Sequence, residues 1–136
     1  MGRRKKSVST SITGKVALYI RLSKEDGNDV SLSVENQKET LMHYLDNSEE
    51  ALELIDIYID DGKTGTDSER PAFQRMLMDI NNKKVNCVVV KDTSRLSRNY
   101  AEAGIYMEQY FVEKNVRFIS LYLPSLDSYL KRFLMP

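Results

Sequence analysis

One cysteine and one histidine occur in 136 residues, and 20 basic side chains are balanced by 20 acidic ones. The lone Cys87 excludes a disulfide framework or a multi-cysteine metal site within one chain. With no sign of secretion, it points to a reducing cytoplasm. The lone His43 falls among core-spaced residues of a helix, so a Ser-His-Asp triad lacks its base. Zero net charge gives no bulk argument for a nucleic-acid or membrane partner, and any such case must come from local placement. No apolar stretch approaches the ~20 residues that span a bilayer. "MGRRKKSVSTSITGK" has the positive start of a signal peptide but no apolar stretch behind it. Residues 1–15 are therefore expected to form a flexible basic arm, with Arg3, Arg4, Lys5 and Lys6 in solvent. Glycine-rich phosphate loops are missing too. Without a Walker loop, a G-x-G-x-x-G or a G-x-S-x-G, nucleotide hydrolysis, dinucleotide binding and α/β-hydrolase chemistry lose their main support.

What is present suits one domain with a real core. "KVALYIRLS" mixes β-branched, aromatic and aliphatic residues before breaking into a polar loop, as a buried strand does. Alternation along it puts Tyr19, Arg21 and Ser23 on one side, the last two at its carboxyl end. Ser33 is placed to cap a helix in which Val34, Leu41, Tyr44 and Leu45 recur at helical spacing to about Asp46. "ALELIDIYIDD" reads as a strand with Ile55, Ile57 and Ile59 on one face, and "DGKTGTDSER" as a mobile loop. Pro71 opens a helix with Phe73, Leu77 and Ile80 aligned. "VNCVVV" is apolar throughout, as a strand covered on both faces is. A helix with Ala103, Met107, Tyr110 and Phe111 inward and a last strand, "VRFISLYL", follow.

The alternation predicts an α/β fold: a mostly parallel sheet of four or five strands with helices on both faces. In such sheets ligands bind beyond the carboxyl ends of the strands. Ser23, the Asp60 to Arg70 loop and the Arg95/Arg98 pair of "SRLSRNY" all fall there. A guanidinium is always charged and offers a planar fork matched to phosphate oxygens, so converging arginines mark a phosphate-handling site. Cations preorganised at a phosphodiester under attack are worth on the order of 3 kcal/mol each, by analogy with related electrostatic sites. Taken singly, arginines at strand ends often only pair with surface carboxylates, and a serine after a strand is often a turn residue. The functional reading rests on their convergence.

"YIRLS", "SVENQ", "DDGKTGTDSERPAFQRML" and "SRLSRNY" resemble, in order, motifs of the catalytic domain of the serine recombinases, the resolvase and invertase family. The likeness runs from about Val16 to Leu121 and looks nearest to the large serine recombinases and transposases of mobile genetic elements, including conjugative transposons. It implies a catalytic domain over residues 16–123. Residues 124–136 would be the start of a C-terminal dimerisation helix, or a disordered tail. The resemblance makes Ser23 the nucleophile that forms a 5′-phosphoserine link to DNA. It makes Arg21, Arg70, Arg95 and Arg98 the groups that hold the scissile phosphate. Gln37, Ser94, Asp61 and Tyr19 would support them. Many small resolvases carry an acidic residue where this sequence has Ser94, and Asp92 stands two positions earlier.

The partner implied is double-stranded DNA, engaged by a homodimer that becomes a tetramer in the active synapse of the full-length protein. No metal or other cofactor and no membrane are expected. Two other readings are a metal-dependent nuclease or phosphatase using Asp60, Asp61 and Asp92, and a non-catalytic fragment. Little activity is expected of this chain alone, because a few arginine contacts give weak, salt-sensitive DNA affinity.

Overall fold

The computed structural model describes residues 14–22, 32–62, 69–97 and 100–122. The N-terminal arm through residue 13, Ser23, Arg98 and the segment after Tyr122 lie outside the described residues. Four strands form one parallel sheet in the order β2-β1-β3-β4, comprising β1 (Gly14–Leu22), β2 (Leu52–Asp61), β3 (Cys87–Asp92) and β4 (Arg117–Tyr122). Helix α1 (Val34–Asn47) packs on one face. Helix α2 (Pro71–Asn81) covers the other, together with a segment made of α3 (Tyr100–Ile105), a π-helical turn (Tyr106–Tyr110) and α4 (Phe111–Glu113). The expected α/β architecture is therefore observed, with four strands among the described residues.

Strands β1 and β3 are central, and Val16 to Ile20 and Val88 to Val90 are buried, as continuous apolar runs require in a sheet covered on both faces. On the α1 face, Val16, Leu18, Ile20, Cys87 and Val89 meet Leu41 and Leu45. On the other face, Ala17, Tyr19, Val88 and Val90 meet Phe73, Met76, Ile80 and Phe111. Helix α1 begins where Ser33 was expected to cap it, the Ser33 hydroxyl accepting from Asn36 N–H at 3.2 Å.

Two details go beyond the sequence pattern. In β2, where the alternation of Ile55, Ile57 and Ile59 marks a strand, Ile55 is 37% and Ile59 41% exposed, whereas Tyr58 and Asp60 are buried. The reason is a register shift between Val16 and Ala17, which pair with Leu54 and Asp56 and leave Ile55 as an extra residue. One inserted residue inverts the alternation of everything after it. Leu54 and Ile57 therefore pack on the α1 side, and Tyr58 turns toward α2. The helix expected over residues 99–115 is observed as α3, a π-helical turn and α4, with Ala103 and Phe111 buried and Met107 and Tyr110 partly buried against the same core. Tyr106, outside the expected inward set, packs edge-on against Phe73 with ring centroids 5.2 Å apart.

His43 is exposed on α1 rather than part of its core stripe, and its carbonyl accepts from the Asn47 side chain at 2.8 Å. Among the described residues no helix is long and apolar enough to cross a membrane.

Candidate active site

The chain turns one way from β1 to β2 and the other way to β3 and β4, so the topological switch lies between β1 and β3. Ligand crevices form at such points. The paired register of β1 with β3 runs from Val16 and Cys87 to Leu18 and Val89. Beyond it, side chains bridge the two strand ends. Arg21 Nη1 donates to the Ser94 carbonyl at 3.0 Å, and Arg95 Nη1 donates back to the Arg21 carbonyl.

Gln37 is buried in α1 and reinforces the same strand end. Its Nε2 donates to the carbonyls of Arg21 at 3.0 Å and Leu32 at 2.7 Å, and its Oε1 accepts from Arg21 N–H at 3.4 Å. A buried amide satisfied on both its donor and acceptor sides fixes backbone position. Here it fixes the last residues of β1, immediately before Ser23.

Arg70 sits just ahead of α2 with left-handed backbone, φ 45° and ψ 62°, an uncommon conformation for a residue with a Cβ. Its side chain is docked. Nε donates to Tyr19 Oη at 3.3 Å, Nη2 donates to the Arg95 carbonyl at 3.0 Å, and the guanidinium lies 3.9 Å from the Phe73 ring centroid. A cation over an aromatic face is attracted by the ring quadrupole. The sequence reading had Arg70 carried loosely by its loop; at its own position it is anchored, while residues 63–68 lie outside the described residues.

Asp60 explains how α2 and Tyr19 come to meet there. Its Oδ1 accepts from Ala72 N–H at 2.9 Å, and its Oδ2 from Phe73 N–H at 2.9 Å and Tyr19 Oη–H at 2.7 Å. A carboxylate on the unsatisfied N–H groups of a helix start is favoured by hydrogen bonding and by the helix dipole. Arg70, in the capping position, makes no side-chain cap bond, so the cap comes from the neighbouring strand. Burial pushes the Tyr19 hydroxyl well above its ordinary pKa; Arg70 opposes the rise and the bond to Asp60 adds to it. Tyr19 therefore serves as a neutral donor.

After β3, Asp92 caps a short 3-10 turn (Thr93–Arg95), its carboxylate accepting from Ser94 N–H at 2.9 Å and from the Ser94 hydroxyl. Arg95 is buried at 3% exposure and directs Nε and Nη2 to Ser94 Oγ at 3.2 and 2.8 Å. Asp61 is exposed at the end of β2, in register with Leu22.

Arg21, Arg70 and Arg95, from three separate segments, thus meet at the carboxyl end of the two central strands with Tyr19, Gln37 and Ser94. The carboxylates weighed as a metal site are otherwise engaged, Asp60 with a helix start and Asp92 with the Arg95 turn. Among the described residues no group of three or more His, Cys, Asp or Glu side chains could hold a metal. Asp60 as a cap and Phe73 as a cation platform are the contributors that sequence reasoning missed. For Asp92, the Asp-x-Ser run at a turn start is a capping signal that could have been read.

Comparison with known families decides the lineage. The model of the resolvase N-terminal domain matches residues 16–134. The chain belongs to the serine recombinase family. This recombinase domain is 34% identical to the N-terminal catalytic domain of TP901-1 integrase, with a TM-score of 0.65 over 79% of this chain and 76% of that one. The C-terminal catalytic domain of ISC1926 TnpA, an IS607-like serine recombinase, shares the fold at 18% identity and a TM-score of 0.63, over 87% and 79% of the two chains. A serine recombinase from Sulfolobus solfataricus shares it at 24% identity and 0.57, over 88% and 76%. Comparison with curated proteins returns no significant match. As a serine recombinase catalytic domain, this chain is part of a family of site-specific recombination enzymes that act on DNA.

Proposed function

We propose that the domain cuts and rejoins DNA through a covalent 5′-phosphoserine intermediate on Ser23. The Ser23 Oγ–phosphorus bond forms as the bond from phosphorus to the 3′ oxygen breaks. The serine loses its proton and the departing strand leaves as a 3′-hydroxyl. Reverse attack by a 3′-hydroxyl on the phosphoserine rejoins a strand and regenerates the serine. Because the ester link retains the phosphodiester's free energy, this chemistry calls for neither a nucleotide nor a metal.

The observation that carries the reading is the interlocking of Arg70 and Arg95 with Arg21, which stands two residues before Ser23 in sequence. Negative charge grows on the phosphoryl oxygens during attack, and fixed cations in a partly buried site stabilise it without reorganising. Arg21 and Arg70 are half-buried and take the role of phosphate ligands, joined by Arg98. Arg95, with Nε, Nη1 and Nη2 turned onto protein oxygens, contributes its charge from behind and reaches a phosphate oxygen by exchanging one of those bonds. The same positive field favours the serine alkoxide where no histidine stands by as base. Gln37 and Tyr19 hold the strand end, and Asp61 and Ser94 border the site. The DNA is double-stranded, and the full-length protein acts as a homodimer that pairs into a tetramer.

The test is covalent capture. Incubated with a randomised pool of nicked duplexes, the chain forms a low yield of protein–DNA adduct that Ser23→Ala abolishes. Adduct that persists in the variant would sink the assignment.

A further inference from the structure

The turn after β3 holds a hydrogen-bond chain that phosphate neutralisation does not itself require. Asp92 takes both the amide and the hydroxyl proton of Ser94. A hydroxyl that gives its one proton to a carboxylate keeps only lone pairs for its other partners. Those lone pairs receive Nε and Nη2 of Arg95. The same carboxylate oxygen lies 3.5 Å from Arg95 Nε, and the Asp92 side chain is 28% exposed where that of Arg95 is 4% exposed. A guanidinium cannot shed its charge when buried. It needs a counter-charge, and Asp92 supplies one directly and through the hydroxyl it polarises. Arg95 then pins the Arg21 carbonyl, which Gln37 also holds.

We propose that Asp92 is a positioning residue for strand transfer: by orienting the Ser94 hydroxyl it sets the Arg95 guanidinium, which fixes the Arg21 carbonyl two residues before Ser23. The inference rests on the reading of Ser23 as nucleophile. It assigns Asp92 a place in the reaction without contact to DNA. Misplacing a reacting group by about an ångström costs up to ~10²-fold in rate, so a loosened buttress is expected to show in the covalent step rather than in DNA affinity.

The experiment measures covalent attachment to a duplex recovered from the nicked pool, over a range of DNA concentrations, alongside NMR of the arginine Nε–H groups and thermal melting. Asp92→Asn and Ser94→Ala each slow attachment at saturating DNA on the order of tenfold, while the half-saturating DNA concentration moves less than about twofold. Ser94→Thr, which keeps the hydroxyl, stays within about threefold of the parent. Because Asp92 acts through Ser94, the double variant Asp92→Asn with Ser94→Ala is about as slow as either single one. The Arg95 Nε–H resonance, slow to exchange in the parent, exchanges quickly in Asp92→Asn and Ser94→Ala but not in Ser94→Thr. Two results would overturn the proposal: rate and Arg95 exchange both unchanged in Asp92→Asn, or rate losses in the double variant that multiply. If the parent itself forms no adduct, the nucleophile reading fails, and the NMR comparison alone decides whether Asp92 sets Arg95.

Discussion

Arg70 shows how much one side chain can be asked to do. It adopts left-handed backbone, precedes a helix it does not cap with its own side chain, and stacks its guanidinium on Phe73 while donating to Tyr19 and to the Arg95 carbonyl. Lysine offers the charge but not the planar fork or the stacking surface. Arg70→Lys is therefore expected to lower the rate of covalent DNA attachment about 10²-fold, as removal of one charge-stabilising donor typically does, with the far-ultraviolet circular dichroism unchanged. Cys87 makes a separate claim on pH. Burial pushes its thiol up to about 11 from an ordinary value of 9.0. The folded state thus favours the neutral thiol, and that contribution is whole below pH 9 and is lost as pH rises toward 11. Between those limits the parent should lose roughly 2 kcal/mol more stability in urea titrations than Cys87→Ala does, one pKa unit being worth about 1.4 kcal/mol. At neutral pH the thiol is protonated and should react slowly with alkylating reagents.

The elements were legible in the sequence to different depths. The strand β1, the cap at Ser33, Pro71 at the start of α2 and the apolar β3 are all local signals, and each appears where local chemistry puts it. The face of β2 was not legible, because alternation alone makes Ile55, Ile57 and Ile59 look like the core. The extra residue that inverts the pattern is a property of pairing with β1, which a single strand does not encode. The same inversion hid Asp60, which reads as a strand-end carboxylate available to a metal but turns inward to hold α2 and Tyr19. Deleting Ile55 brings Leu54 opposite Val16 and Asp56 opposite Ala17 as consecutive residues, so Tyr58 and Asp60 keep their face, and the chain is expected to melt cooperatively. Inserting one alanine between Ile57 and Tyr58 instead turns Tyr58 and Asp60 to the opposite face, and that chain is expected to lose its cooperative melting transition, whereas Ile55→Thr, which keeps the residue count, should melt within a few degrees of the parent. The π-helical turn was hidden too: it coincides with the packing of Tyr106 on Phe73, a contact between distant segments that the spacing along one helix does not encode.

For the whole molecule, the neutral balance of 20 basic and 20 acidic residues conceals a local concentration of arginines at the carboxyl end of the sheet. That end was legible because three motifs in one order point to it. The mutual contacts of the arginines were not legible, since they run through backbone carbonyls that any sequence supplies. With about three or four phosphate contacts, binding to duplex DNA should weaken with salt at a logarithmic slope near −3, at about −0.9 per phosphate, as fluorescence anisotropy between 50 and 200 mM salt would read. Weak binding and a competent reaction centre are compatible, because affinity comes from phosphate contacts and chemistry from positioning. The measurement that bears most directly on the account is the chemical identity of the DNA–protein link. Captured adduct, digested and sequenced by mass spectrometry, is predicted to carry the DNA 5′-phosphate on Ser23, with the released strand bearing a 3′-hydroxyl that a polymerase extends. DNA attached to any other residue, or linkage through the 3′-phosphate with a free 5′-hydroxyl, would contradict it.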